Sequence, residues 1–294
     1  MDFKNSEELL AICGKRNMKI SEVMLRRECD EAECTEKEAS DRMRATLEIM
    51  RRSAHEALDN PRKSMGGLIG GEAALINERL KTGAGLCGTI LGRAVCYAMG
   101  VLEVNASMGL IVAAPTAGSS GVVPGLLLAM QEAYGFSDDQ IVAALFNAGA
   151  VGYLAMRNAT VAGAVGGCQA EIGVASAMAA SAAVELMGGT PEQCLNAAST
   201  VLMNMLGLVC DPVGGLVEYP CQSRNASGVA NAAVAAEIAL SGVEQLIPLS
   251  EMLDAMYKVG RKLPPELRET ALGGCAATQS ACRLCEKLGK KNTV

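Results

Sequence analysis

The residues best suited to chemistry in this sequence are three cysteines in glycine-rich or proline-containing surroundings. Cys168 follows two glycines, Cys210 precedes an Asp-Pro pair, and Cys221 follows a proline. Thiolates are soft ligands that suit iron–sulfur clusters, and neighbouring glycines let backbone amides approach the cluster sulfurs. Three such ligands would leave one iron of a cluster without a cysteine ligand. The spacing matches no standard ferredoxin or zinc pattern, so three ordinary buried cysteines are the alternative at this point.

A second group of small residues could hold a carboxylate or a phosphate. Small and hydroxyl-bearing residues follow one another at 105–109 and 113–121, where backbone amides would be exposed around one point. No Gly-Lys-Ser/Thr motif follows, which argues against nucleotide phosphates. A loop between closely packed helices explains the same composition equally well. Residues 64–72 have similar properties and lead into a predicted helix.

Other catalytic groups are scarce. No lysine lies between Lys81 and Lys258, so the central region offers no Schiff-base lysine to pyridoxal phosphate. The one histidine, His55, lies in the charged N-terminal part and off the apolar face of its predicted helix, where we expect it to be solvated. Histidine-dependent triads and mixed cysteine/histidine zinc sites are therefore disfavoured.

The elements that must position these residues are predicted to be helices. Capping-box patterns begin at Thr35, Ser137 and Thr190, and the last is followed by a proline at the favoured first helical position. Apolar residues recur at helical spacing after these starts. Period-two alternation is not evident, although residues 110–113 could be a short strand. The sequence predicts an all-α fold whose small residues let helices pack closely.

Charge divides the chain of 294 residues into three parts. Residues 1–63 and 257–294 are rich in charged side chains, whereas residues 64–256 are rich in alanine, glycine and valine. We interpret residues 1–294 as one large domain with charged helical flanks around an apolar core. The net charge of −6 and the pI near 5.1 give no electrostatic reason to bind nucleic acid.

The sequence predicts a cytoplasmic chain. Residues 1–14 contain charged side chains and no basic region followed by an apolar run, unlike a signal peptide. The apolar stretches 106–130, 141–156 and 172–187 are each interrupted before they reach the ~20 residues of a membrane-spanning helix, so a membrane protein is a minor alternative. In a reducing compartment, metal binding or burial of the 12 cysteines is favoured over disulfides.

Taken together, three segments resemble the α subunit of iron–sulfur-dependent L-serine dehydratase. They are residues 107–125, 167–173 and 206–225, the last of which reads LGLVCDPVGGLVEYPCQSRN. The resemblance implies an all-helical catalytic domain in which the three cysteines named above hold a 4Fe-4S cluster. It also implies deamination of L-serine to pyruvate and ammonia, with an open iron acting as a Lewis acid on the hydroxyl group.

The family chemistry requires an anchor for the serine carboxylate. Our candidate is the loop of small residues, whose hydroxyl groups and backbone amides would act as donors, with two more side chains adding to them. The predicted substrate-binding residues are Ser64, Asn105, Thr116, Gly118 and Ser119. No residue is identified as the catalytic base.

Arg224 is one of very few cations in the central region. It could balance the charge of the cluster or of the substrate. A structural ion pair with an acid such as Asp211 or Glu218 is at least as well supported by the sequence.

Two departures from the family pattern concern partners and ligands. Single-chain members carry an additional domain before the catalytic part, so a separate β subunit is the expected partner. Some members close the resting cluster with a cysteine at the C-terminus, which is absent from residues 290–294; Cys275, Cys282 or Cys285 could replace it. The alternative functions are a related desulfidase, a threonine dehydratase or a non-catalytic cluster-binding subunit.

Overall fold

Thirteen α-helices make up most of residues 1–287, the part of the chain that a computed structural model describes. These residues contain no β-strand, only an isolated bridge between Cys210 and Arg268. The predicted all-α fold is thereby confirmed, and residues 110–113 form an irregular segment instead of a strand. In chain order the helices are α1 (Ser6–Arg16), α2 (Ile20–Ala32), α3 (Glu36–Asp59), α4 (Glu72–Lys81), α5 (Gly88–Ala106), α6 (Val122–Tyr134), α7 (Asp138–Asn158), α8 (Gly163–Gly166), α9 (Val174–Leu186), α10 (Pro191–Asn204), α11 (Cys221–Leu240), α12 (Leu249–Lys262) and α13 (Gln279–Lys287).

The predicted helix starts follow from local chemistry. At each of Thr35, Ser137 and Thr190, the side-chain oxygen accepts a hydrogen bond from the amide three residues on. The side chain of that third residue in turn accepts a hydrogen bond from the amide of the capping residue. Helices α3, α7 and α10 begin at the next residue, as predicted. Capping satisfies amides that have no partner inside the helix, so short-range sequence is enough to locate these starts.

Small side chains allow the central helices to approach one another closely. Helices α5 and α6 meet where Gly125 faces Ala94 and Ala98, and a Cβ at Gly125 would lie 2.9 Å from the Ala94 carbonyl oxygen. Helix α9 is buried along almost its whole length between α7, α10 and α11. The core thus depends on backbone proximity more than on large aromatic side chains, which form only 3% of the sequence.

The charged N-terminal part contributes to the same core. Phe3, Leu9 and Ile20 are fully buried in one hydrophobic cluster that extends to Met256. Helices α1 to α3 therefore place an apolar face inward and their charged residues outward. Among the described residues, one helix, α7, is long and apolar enough to cross a membrane, and 67% of that stretch is buried inside the structure.

Replacing Gly125 by alanine should destabilise the chain, because the new methyl group would press on backbone atoms of α5 that cannot rotate away. We expect the free energy of unfolding, measured by urea denaturation, to fall by about 1–3 kcal/mol. Gly14 is the matched control: it also lies inside a helix, and nothing within 4 Å would meet its Cβ. Gly14→Ala should be neutral or stabilise by up to about 1 kcal/mol. Equal effects in the two variants would contradict this account of the packing.

Candidate functional site

The structure brings the three predicted cysteines together, although they are far apart in the sequence. The side chains of Cys168 and Cys210 lie close enough to interact, and this interaction together with burial raises the pKa of Cys210. Burial, and then the charge interaction with the nearby Cys168 side chain, raise the pKa of Cys221 to about 12. The three residues are only 3%, 4% and 8% exposed. They form one buried, thiol-rich centre.

Each cysteine is held by a different kind of backbone element. Cys168 lies at the start of a π-helical turn that runs into α9, and Cys221 is the first residue of α11. Cys210 lies in an irregular segment, where its amide donates to the Leu267 carbonyl (2.9 Å) and its carbonyl accepts from the Glu269 amide (2.7 Å). The chain that follows α12 therefore returns to hold this cysteine in place.

One carboxyl group faces the cysteines. Glu171, half-buried in the π-helical turn, accepts hydrogen bonds from Thr116 Oγ1 (2.8 Å) and from the Cys210 thiol (3.6 Å from Sγ to Oε2). Burial raises the pKa of Glu171, against the lowering effect of the Thr116 hydrogen bond. Sequence reasoning missed this residue. Its position three residues after Cys168, in the same glycine-rich segment, is the only local signal.

The hydroxyl-bearing loop, residues 113–121, is fastened to the third cysteine by one buried side chain. The carboxamide Nδ2 of Asn225 donates to the carbonyls of Gly118 (2.8 Å) and Cys221 (2.9 Å), and its Oδ1 accepts from the Gly121 amide (3.0 Å). Asn225 is fully buried. Asn225 therefore holds the loop against the start of α11.

Two hydroxyl groups of this loop have different surroundings. Ser119 is fully buried, with its Oγ 3.1 Å from Thr116 Oγ1 and 3.3 Å from the Ala114 carbonyl oxygen. Thr116 is half-buried and donates to Glu171. Thr116 thus connects the loop to the thiol-rich centre, and Ser119 supports the loop from within.

Ser64 and Asn105 lie in neighbouring segments, which are joined where the Met65 amide donates to the Ala106 carbonyl (2.9 Å). The Ser64 hydroxyl donates to the buried Glu218 carboxylate (2.6 Å), which also accepts from the amides of Gly66 (2.7 Å) and Leu68 (3.1 Å). The Asn105 carboxamide, at the end of α5, makes no hydrogen bond to any of residues 1–287. Neither side chain is hydrogen-bonded to the cysteines or to the hydroxyl-bearing loop.

Arg224 forms the structural ion pair that was one of its two predicted roles. Its guanidinium Nη2 lies 2.7 Å from Asp211 Oδ1, and Nη1 donates to the Val209 carbonyl (2.9 Å). Asp211 is 2% exposed, and its other oxygen accepts from the Cys275 amide (2.6 Å). The pair therefore links three segments around Cys210.

Of the three cysteines considered as a fourth ligand, Cys275 is the one hydrogen-bonded to this network. Cys285 is only 1% exposed and belongs to a small apolar cluster with Val213, so α13 buries one face while most of its residues are exposed. Cys282 is half-buried on the same helix. Residues 290–294, where the sequence offers no C-terminal cysteine, lie outside the described part of the chain.

These features define a class of protein: an all-helical protein with a buried, thiol-rich centre beside a hydroxyl-bearing loop. The family model for the serine dehydratase alpha chain matches residues 15–276 of this chain. The chain belongs to this family, which confirms the resemblance drawn from the sequence.

Relatives of two lengths are similar to this chain. The probable L-serine dehydratase, alpha chain, of Bacillus subtilis is 46% identical over 286 residues, which cover 97% of this chain and 95% of the relative. The L-serine dehydratase, alpha chain, of Peptoniphilus asaccharolyticus is 44% identical over 96% of this chain and 97% of its own length. The L-serine dehydratase of Streptomyces coelicolor is 35% identical over 95% of this chain, but over only 62% of its own length.

Burial of Cys221 makes the stability of the metal-free chain depend on pH. Its pKa is raised from 9.0 to about 12, so the thiol ionises in the unfolded chain before it does in the folded chain. The resulting stabilisation is complete below pH 9.0 and is lost as the pH rises toward 12. In Cys221→Ala, the free energy of unfolding should therefore fall less steeply with pH, the slope changing by at most about 1.4 kcal/mol per pH unit.

Urea denaturation of the metal-free protein from about pH 8 to about pH 11 measures this slope. The control is Cys87→Ala, which removes an exposed thiol. Identical slopes in wild type and Cys221→Ala would show that Cys221 does not carry the effect.

Proposed function

We propose that this chain is the catalytic subunit of an L-serine dehydratase, with a 4Fe-4S cluster held by Cys168, Cys210 and Cys221. The observation that carries the proposal is the convergence of these buried thiols beside a hydroxyl-bearing loop, in a chain of this family. The names of the relatives support L-serine as the substrate. We interpret residues 1–294 as one catalytic domain of the α type.

The donor set fits a cluster better than a single ion. Within residues 1–287, no three histidine, cysteine, aspartate or glutamate side chains are grouped closely enough to hold one metal ion. In a 4Fe-4S cluster each thiolate binds a different iron, so the sulfurs stand further apart than around one ion. A bound cluster with an iron that lacks a protein thiolate supplies a Lewis acid for the departing hydroxyl group.

The chain's own residues bind and orient the substrate. We assign the carboxylate of serine to the hydroxyl-bearing loop, at Thr116, Gly118 and Ser119, because this loop is hydrogen-bonded to Glu171 and is joined to Cys221 through Asn225. Asn105 offers an unused carboxamide, whereas the Ser64 hydroxyl is occupied by Glu218 and acts by shaping the loop that carries it. Loss of the α-proton and of hydroxide gives an enamine, which tautomerises to an imine and hydrolyses to pyruvate and ammonia.

A separate beta chain is the expected partner, since the two most similar relatives described above are named as alpha chains. The longer Streptomyces relative is consistent with a second part that some family members carry in the same chain. We also propose a cytoplasmic location, where a reducing environment keeps the thiols available as ligands.

Substituting Cys210 by serine should remove both the cluster and the activity, because the soft thiolate is replaced by a poor iron ligand. In protein reconstituted without oxygen and assayed with its partner chain, we expect serine-dependent pyruvate formation to fall roughly 100-fold or more. Iron and sulfide content should fall with it. Cys87→Ser is the control, since that thiol is exposed.

Full iron, sulfide and activity in Cys210→Ser would refute the ligand assignment. A wild-type chain that binds the cluster but turns over no serine would instead favour the cluster-binding subunit. Relative rates on serine, threonine and cysteine decide between the dehydratase and the related activities, because a pocket discriminates one methyl group by only roughly 1–3 kcal/mol.

Substituting Thr116 by valine removes one hydroxyl group at nearly constant volume. If the Thr116 hydroxyl turns from Glu171 to bind the substrate carboxylate, KM for serine should rise by about 10-fold to 100-fold, the effect of one lost hydrogen bond to a charged group, with a smaller change in kcat. Thr46→Val is the matched control, because the Thr46 hydroxyl bonds only to the Arg42 carbonyl, one turn earlier in α3. An unchanged KM would remove Thr116 from the binding site.

A further inference from the structure

Gln169 carries a buried carboxamide that the proposed reaction does not yet use. It follows Cys168 and is only 1% exposed. Its Nε2 donates to the carbonyls of Gly166 (2.8 Å) and Met256 (2.9 Å), and its Oε1 accepts from the Gly207 amide (2.7 Å). One side chain therefore joins the end of α8, the segment that leads to the second cysteine, and helix α12.

The surrounding backbone holds this carboxamide tightly. The Gln169 backbone amide donates to the Leu208 carbonyl (3.0 Å). Both the main chain and the side chain of Gln169 therefore bond to the segment that leads to Cys210. Helix α12 approaches so closely that a Cβ at Gly260 would lie 2.6 Å from Gly166 Cα and 3.0 Å from Gln169 Nε2. There is thus little room for the side chain to adopt another position.

Only glutamine meets the chemical requirement at this position. Two carbonyls need donors and one amide needs an acceptor, and the planar carboxamide provides both from a single group. A glutamate would place a carboxylate oxygen, which cannot donate, where Nε2 now donates to two carbonyl oxygens. A methionine of similar size would leave the Gly166 carbonyl and the Gly207 amide without this partner and would break the link to α12, at a cost of about 1–3 kcal/mol for each buried group left unpaired.

We propose that Gln169 is a positioning residue that fixes the separation between Cys168 and Cys210. The inference rests on the proposed function, in which both thiolates hold the cluster. The segment that carries Cys210 belongs to no helix, so its distance from Cys168 depends on cross-links such as this one. Gln169 contacts neither thiol through its carboxamide, and it acts on the reaction only through the two backbone segments.

The test compares Gln169→Met with Gln193→Met, each in the full chain. Gln193 is a chemically matched control: its Nε2 donates to the Ala239 carbonyl (2.9 Å) and its Oε1 accepts from the Thr190 amide (2.9 Å), which joins α10 to α11 away from the cysteines. Both variants should lose stability. Only Gln169→Met should loosen the segments around the cysteines.

Two readouts besides activity separate positioning from a general structural role. In the metal-free chain, hydrogen exchange at residues 206–210 should accelerate roughly 10-fold in Gln169→Met and stay unchanged in Gln193→Met. In the reconstituted protein, an iron chelator should remove iron roughly 10-fold faster from Gln169→Met, and the EPR spectrum of the reduced cluster should change. The Gln193→Met protein should match wild type in both respects.

The outcomes distinguish a failure of the role assigned to Gln169 from a failure of the proposed function. Unchanged exchange and unchanged iron release in Gln169→Met would overturn the inference, and so would faster exchange with wild-type iron release and EPR spectrum. Failure of the wild-type chain to take up iron and sulfide would overturn the proposed function itself, and the inference with it. Faster exchange together with faster iron loss, confined to Gln169→Met, supports the inference.

Discussion

Backbone polar groups in buried loops need hydrogen-bond partners, and this requirement shapes the whole site. Cys210, the hydroxyl-bearing loop and residues 64–69 lie in irregular segments where no helix supplies such partners. Three side chains supply them instead: Asn225, Gln169 and Glu218, each 3% exposed or less. The relative positions of the loops are therefore set by polar side chains that reach across from neighbouring elements.

The range over which an interaction acts explains how much of this structure the sequence could predict. Helix starts depend on residues three apart, so the pattern at Thr35 located a boundary from local sequence alone. The all-α fold and the family followed from such patterns and from the long motif around Cys210. By contrast, the bond between Ser64 and Glu218 joins residues 154 positions apart, and nothing near Ser64 indicates that its hydroxyl is already occupied.

The same limit explains the residues that sequence reasoning missed. Glu171 resembles any acid near a helix start until the fold places it against Thr116 and Cys210. Cys285 sits among charged neighbours in the sequence, yet packing against Val213 buries it. Whether a polar residue is exposed, paired or functional is decided by distant contacts, which composition and periodicity do not encode.

The return of the chain after α12 sets a lower limit on any minimal fragment that keeps the cysteine centre intact. Residues 267–269 bracket the backbone of Cys210, and the amide of Cys275 donates a hydrogen bond to the buried Asp211 carboxyl group. A protein shortened at the end of α12 would keep all three thiols and most of the hydrophobic core, yet it would expose the segment that carries Cys210 to water. Engineering of this scaffold should therefore keep the chain intact through Cys275.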